Sequence, residues 1–145
     1  MRLLRKPDRG PAQPASLVAW WPADGDTVDA IGGNDAVLQN GTEFDTGISG
    51  KGFRFDGKDD CVVVKDASCL QANRELTISL SVKFDRVPSE SEYEQSMALL
   101  EKKDDYLLMW RADLDCLNFT KTDARDMGYH LGALLPLPRL KPGVF

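Results

Sequence analysis

The chain of 145 residues has one histidine, His130, and three cysteines, Cys61, Cys69 and Cys116, with no C-x-x-C pair. A zinc centre of the usual Cys/His kind needs four such ligands at short spacings, so the sequence excludes one. An odd number of thiols excludes a fully paired disulfide framework within one chain, while a single bridge among the three stays open. Cys61 and Cys116 fall in apolar runs and read as small core thiols. No window approaches the roughly 18 apolar residues of a membrane-spanning helix. Basic residues are also in deficit, 18 against 23 acidic, for a net charge of −5. Non-specific nucleic-acid binding needs a basic face, and no such excess exists.

Proline is nearly missing from the middle of the chain. Between residues 16 and 120 only Pro22 and Pro88 occur, whereas Pro7, Pro11 and Pro14 precede them and Pro136, Pro138 and Pro142 follow. Charge divides the same way: residues 1–15 carry a net +3, residues 121–145 a net +2, and residues 16–120 hold 10 basic and 20 acidic side chains. The pattern predicts an acidic body over 16–120 flanked by a basic, proline-rich segment 1–15 and a tail 121–145, both poorly ordered. The first 16 residues have the positive charges of a signal peptide without an apolar stretch behind them, so no export signal is expected.

What is abundant is short strand-like segments. Leu76-Thr77-Ile78-Ser79-Leu80-Ser81-Val82-Lys83-Phe84 alternates apolar and polar residues over nine positions, the pattern of a half-buried antiparallel strand. Leu17–Trp21, Ala36–Gln39, Gly52–Phe55, Cys61–Val64, Met97–Glu101, Tyr106–Arg111 and Leu114–Phe119 are further strand expectations. Turn signals separate them at Asp24-Gly25, Gly32-Gly33-Asn34, Asn40-Gly41, Ser49-Gly50 and Asp56-Gly57. No amphipathic helix is expected. The fold class is therefore all-β, an antiparallel β-sandwich or jelly roll.

Two stretches carry a family resemblance. Leu17-Val18-Ala19-Trp20-Trp21-Pro22-Ala23-Asp24-Gly25 is followed by Asp29 and Gly32-Gly33-Asn34. Phe53-Arg54-Phe55-Asp56-Gly57-Lys58-Asp59-Asp60-Cys61-Val62-Val63-Val64 runs on to the alternating segment 76–84. This order resembles the concanavalin A-like lectin/glucanase superfamily in its laminin G-like jelly-roll branch. The match is good over 17–84 and thinner to about 119. Cys61 stands where an aromatic is usual, Leu80 where a small residue is usual, and no W-H-x-V strand follows. Leu134–Phe145 does not resemble jelly-roll sequence, so the resemblance implies a truncated domain ending near residue 120.

The resemblance implies a non-catalytic module that binds a carbohydrate or an extracellular protein at a cell surface, with calcium as candidate cofactor. A structural or adhesive module of a larger surface protein, or a glycoside hydrolase remnant, are the alternatives. The paired-carboxylate signature E-x-D-x-x-E of retaining glucanases is missing, and Glu90/Glu94 or Asp113/Asp115 read as solvated acids. Calcium takes six to eight oxygens, and three acidic clusters offer them. The first is Asp24, Asp26 and Asp29 with Asn34 and Asp35, which reads equally as turn-capping side chains. The second is Asp56, Asp59 and Asp60 in FDGKDD, which reads as a hairpin connection. The third is Asp104-Asp105, where pentraxins, another set of calcium-dependent jelly rolls, carry an Asp-Asn ligand pair. Asp24, Asp59, Asp104 and Asp105 are the candidate metal ligands. Trp21, Tyr106 and Trp110 are the candidate stacking residues for a sugar ring, each weighed against plain core packing. Asn40-Gly41-Thr42 and Asn118-Phe119-Thr120 match the glycosylation pattern.

Overall fold

The computed structural model describes residues 16–72, 75–85, 97–111, 116–122 and 130–136, with Thr122 and 130–136 described by their backbone. Glu90, Tyr93, Glu94, Asp113, Asp115 and the segment 1–15 lie outside the described residues. The described elements are eight strands and one short 3-10 turn, all pairings are antiparallel, and the chain is all-β. Among the described residues no helix is long and apolar enough to cross a membrane, which says nothing of a β-barrel. The chain divides into two compact units, Met1–Leu70 and Gln71–Phe145.

The first unit is built on one long, interrupted hairpin. Strand β1 (Ala36–Gln39) pairs with β4 (Cys61–Val64), and nested inside them β2 (Glu43–Thr46) pairs with β3 (Lys51–Arg54). The tip is the four-residue loop 47–50, closed by the Gly47 N–H on Gly50 O at 3.0 Å. Between the two ladders, three residues (40–42) oppose six (55–60). The short side is a tight turn: Thr42 N–H donates to Gln39 O at 3.2 Å, and Asn40 and Gly41 have φ of 60° and 120°. Positive φ at both central positions is what an Asn-Gly pair provides. The long side, FDGKDD, is forced outward by the mismatch. It is thus an insertion between β3 and β4 and not the hairpin connection expected from its sequence, although Gly57 has the expected positive φ of 77°.

The second unit contains a four-stranded meander, β5 (Met97–Lys102), β6 (Tyr106–Arg111), β7 (Cys116–Thr122) and β8 (His130–Pro136), each strand paired with the next. The register slips by one residue between Ala98 and Leu100, so Leu99 is the extra residue of a β-bulge. Trp110, 1% exposed, is the largest buried side chain and packs against Phe84 with ring centroids 5.8 Å apart. Cys116 and Ala72 are also buried. Cys61 is only half-buried and Cys69 exposed, and all three thiols are free.

Three expectations are corrected here. Leu76–Phe84 is not part of any ladder despite its alternation, because alternation prepares a segment to pair but does not supply a neighbouring strand. Leu17–Trp21 is likewise not a strand, since the backbone of Trp20 bonds to Asp29 and Ala30 instead: Trp20 N–H to Asp29 Oδ1 (2.9 Å) and Ala30 N–H to Trp20 O (2.8 Å). The segment beyond residue 120 is not featureless, for β7 reaches Thr122 and β8 follows it. As the outer strand of the sheet, β8 tolerates Pro136 at its end, where a missing N–H breaks no inner ladder.

Candidate functional site

The three acidic clusters have different structural roles. In the first, every carboxylate serves a turn. Asp24 Oδ1 accepts from Lys51 N–H at 3.0 Å and ties the loop to the hairpin tip. Asp26 Oδ1 accepts from Val28 N–H at 3.1 Å, and Asp35 Oδ1 from Asp29 N–H at 2.9 Å. Asp29 is the hub and is only 4% exposed. Its Oδ1 accepts from the N–H groups of Trp20 and Ile31, and its Oδ2 from the backbone and side-chain amides of Asn34, at 2.9–3.0 Å. Burial pushes the Asp29 carboxyl up, but the backbone donors of Trp20, Gly32 and Asn34 outweigh it and hold the group well below the usual carboxylate range. The turn-capping reading describes this cluster.

Asp104 and Asp105 sit in the β5–β6 turn, closed by Asp105 N–H on Lys102 O at 3.0 Å. Asp104 is exposed and occupies the third turn position with φ of 61°. Asp105 turns inward: one carboxylate oxygen accepts from Ala72 N–H at 2.8 Å and the other is paired with the Lys121 ammonium. Burial raises its carboxyl, and the Lys121 hydrogen bond and charge with the Ala72 N–H bring it below its ordinary value. Both Asp105 oxygens thus have protein partners.

The second cluster is open. Asp56, Asp59 and Asp60 bring one carboxylate oxygen each within 4.8 Å of one another, the one such acidic group among the described residues. Asp56 Oδ1 accepts from Lys58 N–H and Asp60 Oδ2 from Asp56 N–H, both at 2.8 Å, and these bonds fold the insertion back on itself. The Lys58 N–H, then its ammonium 3.7 Å away, lowers the Asp56 carboxyl below its ordinary value, so it is anionic at neutral pH. Asn40 Nδ2 donates to Asp59 O at 2.7 Å and joins the insertion to the Asn-Gly turn. A Cβ on Gly41 would stand 3.2 Å from Asp60 Oδ1, so a glycine there lets carboxylate and turn approach. Between turn and insertion lies an open groove of about 420 Å³ lined by Asn40, Gly41, Glu43, Arg54, Asp56 and Asp60. Arg54 also pairs with Asp45 at 2.9 Å.

The aromatic candidates are spread across the molecule. Trp21 is half-buried, and its indole N–H donates to Asn34 O at 2.9 Å. Tyr106 is half-buried on β6, and burial raises its phenol above the ordinary value. Trp110 is a core residue and not a stacking platform, because at 1% exposure neither ring face is open to a ligand. Phe55, 50% exposed, lies 6.4 Å from Phe53, which in turn lies 5.5 Å from Phe44; this aromatic row is on the hairpin face opposite Glu43 and Arg54, and it does not line the groove. The sequence reading of the site did not include Asn40, Glu43 or Arg54. The signal for them is the unequal spacing of the two ladders, which sets the Asn-Gly turn against FDGKDD.

Compared with protein-family models, with curated proteins and with solved structures, the chain matches none.

Proposed function

We propose that this chain is a non-catalytic carbohydrate-binding module of the laminin G-like kind, with calcium held at Asp56, Asp59 and Asp60. The observation that supports the reading is the convergence of those three carboxylates at the rim of a polar groove. Three anions this close repel one another, and a hard divalent cation relieves that repulsion. Asn40, Glu43 and Arg54 offer the donors and acceptors that sugar hydroxyls need. The motif resemblance over 17–84 points to the same class, and the groove falls within that stretch.

The test is a calcium titration followed by a glycan array with and without the ion. Open modules of this kind bind calcium with dissociation constants of about 1 mM. Calcium at about 10 mM then stabilises the chain by about 1.4 kcal/mol, read as a rise in Tm. Asp59→Asn abolishes that rise, and Arg54→Ala reduces glycan binding while leaving the calcium-dependent rise intact. A Tm indifferent to calcium, together with an empty array, overturns the reading.

A further inference from the structure

The strongest strand signal in the sequence is the segment that the fold leaves unpaired. Among the described residues Leu76–Val82 makes no backbone hydrogen bond, and none of its residues has positive φ. Leu76, Leu80 and Val82 are 38%, 44% and 37% exposed. At its C-terminal end Phe84 anchors the segment against Trp110. A strand-competent backbone with free N–H and C=O groups is a template for another strand.

The side chains specify which strand fits. Turned antiparallel against itself about Ser79, the segment sets Glu75 opposite Lys83, Thr77 opposite Ser81 and Ser79 opposite its own copy. On the other face Leu76 meets Val82 and Ile78 meets Leu80. Every pair is thus like with like in polarity, and the charged pairs are of opposite sign at both ends. Such cross-strand pairs stabilise a ladder. A parallel pairing of the same segment would set Glu75 against Glu75 and Lys83 against Lys83. Lys83 also lies 3.9 Å from Asp85 of its own chain, so in the pairing it bridges two carboxylates.

We propose that residues 75–83 form the contact between two copies of this chain, paired antiparallel about a two-fold axis at Ser79. The interface is isologous, with the same strand edge contributed from both sides. It goes beyond the binding reading and involves none of the groove residues.

The test uses the full chain in a Cys61→Ser, Cys69→Ser background. Sedimentation over a concentration series gives a monomer–dimer equilibrium. E75K and K83E each weaken it by roughly tenfold, since each turns two attractive pairs into repulsive ones, and the double variant restores it. Directly opposed Cα atoms stand about 4.5–5.5 Å apart, within disulfide reach. Ser79→Cys therefore oxidises to a linked dimer, whereas Thr77→Cys, which faces Ser81 of the other copy, does not. Circular dichroism of each variant checks that these exposed substitutions leave the fold intact. A monomer at all concentrations overturns the proposal, as does a dimer indifferent to the charge reversals or one that links through Thr77→Cys. Slow amide exchange of Leu76–Val82 in dilute monomer overturns it too, because the strand would then be satisfied within its own chain.

Discussion

The two units hold themselves together by different means. In the first, the buried residues among those described are Ala23, Ala36, Asp29 and Thr42. Two are polar, and both are saturated: Asp29 gathers four donors, and the Thr42 hydroxyl lies 2.9 Å from Gln39 O and 3.1 Å from Cys61 O. In the second unit the buried residues, among those described, are Trp110 and Cys116 on the meander and Ala72. A unit of four-residue strands has little apolar surface to bury, so charge-assisted hydrogen bonds to its loops carry a larger share of its order. A four-stranded meander relies on area removed from water. The acidic clusters, alike in sequence, cut across that line: Asp24, Asp26, Asp29 and Asp35 bracket loops of the first unit, Asp105 ties the β5–β6 turn of the second to Ala72, and the cluster on the 55–60 insertion, also in the first unit, opens to solvent.

The largest expected effect is in the apolar unit. Trp110→Ala removes the largest buried side chain and the partner of Phe84, and costs about 4 kcal/mol. Denaturant unfolding followed by near-ultraviolet dichroism measures it. Trp110→Phe costs far less, because its ring keeps most of the contact and removes an indole N–H that is buried without a hydrogen-bond partner among the described residues. Should the two variants lose equal stability, apolar contact is not what holds this unit.

The loop-rich unit responds to a single carboxylate. Asp29→Ala strands the N–H groups of Trp20, Ile31 and Asn34 and costs about 3 kcal/mol, with Asp29→Asn in between because it keeps one acceptor oxygen. The same residue gives the unit an acid limit. In the unfolded chain Asp29 takes its proton near 3.8, and in the folded chain only well below that. As pH falls through 3.8 the unfolded state binds the proton first. The stabilisation is therefore complete above about pH 5 and is lost progressively as pH drops toward the folded value. Tm against pH between about 2 and 6 measures this, and Asp29→Asn flattens the slope. An unchanged slope would place the acid sensitivity elsewhere, Asp105 being the next carboxylate held below its ordinary value.

Legibility in the sequence cuts across the two units. Ala36–Gln39, Cys61–Val64, Met97–Lys102 and Tyr106–Arg111 are visible as apolar runs because burial selects them, and all are strands. Glu43–Thr46 was not, since Phe44 is its single large apolar residue and its pairing with Lys51–Arg54 follows from the turn between them. His130–Pro136 was hidden by its Gly132 and Pro136, residues that an edge strand accepts and an inner one does not. The site was half legible. FDGKDD marks itself as an acidic turn by composition. That Asp59 would stand with Asp56 and Asp60 at a groove, while Asp24 and Asp105 would be spent on Lys51, Ala72 and Lys121, depends on through-space partners that no local spacing encodes.

The smallest effect tests a turn in the apolar unit that resembles the turns of the other. Asp104 holds φ of 61° at the third position of the 102–105 turn, where the φ pattern is that of a type II turn. An L-residue there is disfavoured by about 1 kcal/mol, and aspartate is among the side chains that tolerate it best. Asp104→Gly relieves this strain but adds conformational freedom to the unfolded chain, which returns about half of the gain. The net expectation is a stabilisation of about 0.5 kcal/mol, seen as a small rise in Tm without calcium. With calcium the variant separates two roles for Asp104. If its carboxylate only occupies a turn, the calcium-dependent rise in Tm is the same in variant and parent, and Asp59→Asn alone removes it. A response that falls in Asp104→Gly would place an ion at the β5–β6 turn, and the acids of the two units would then no longer divide between bracket and open cluster.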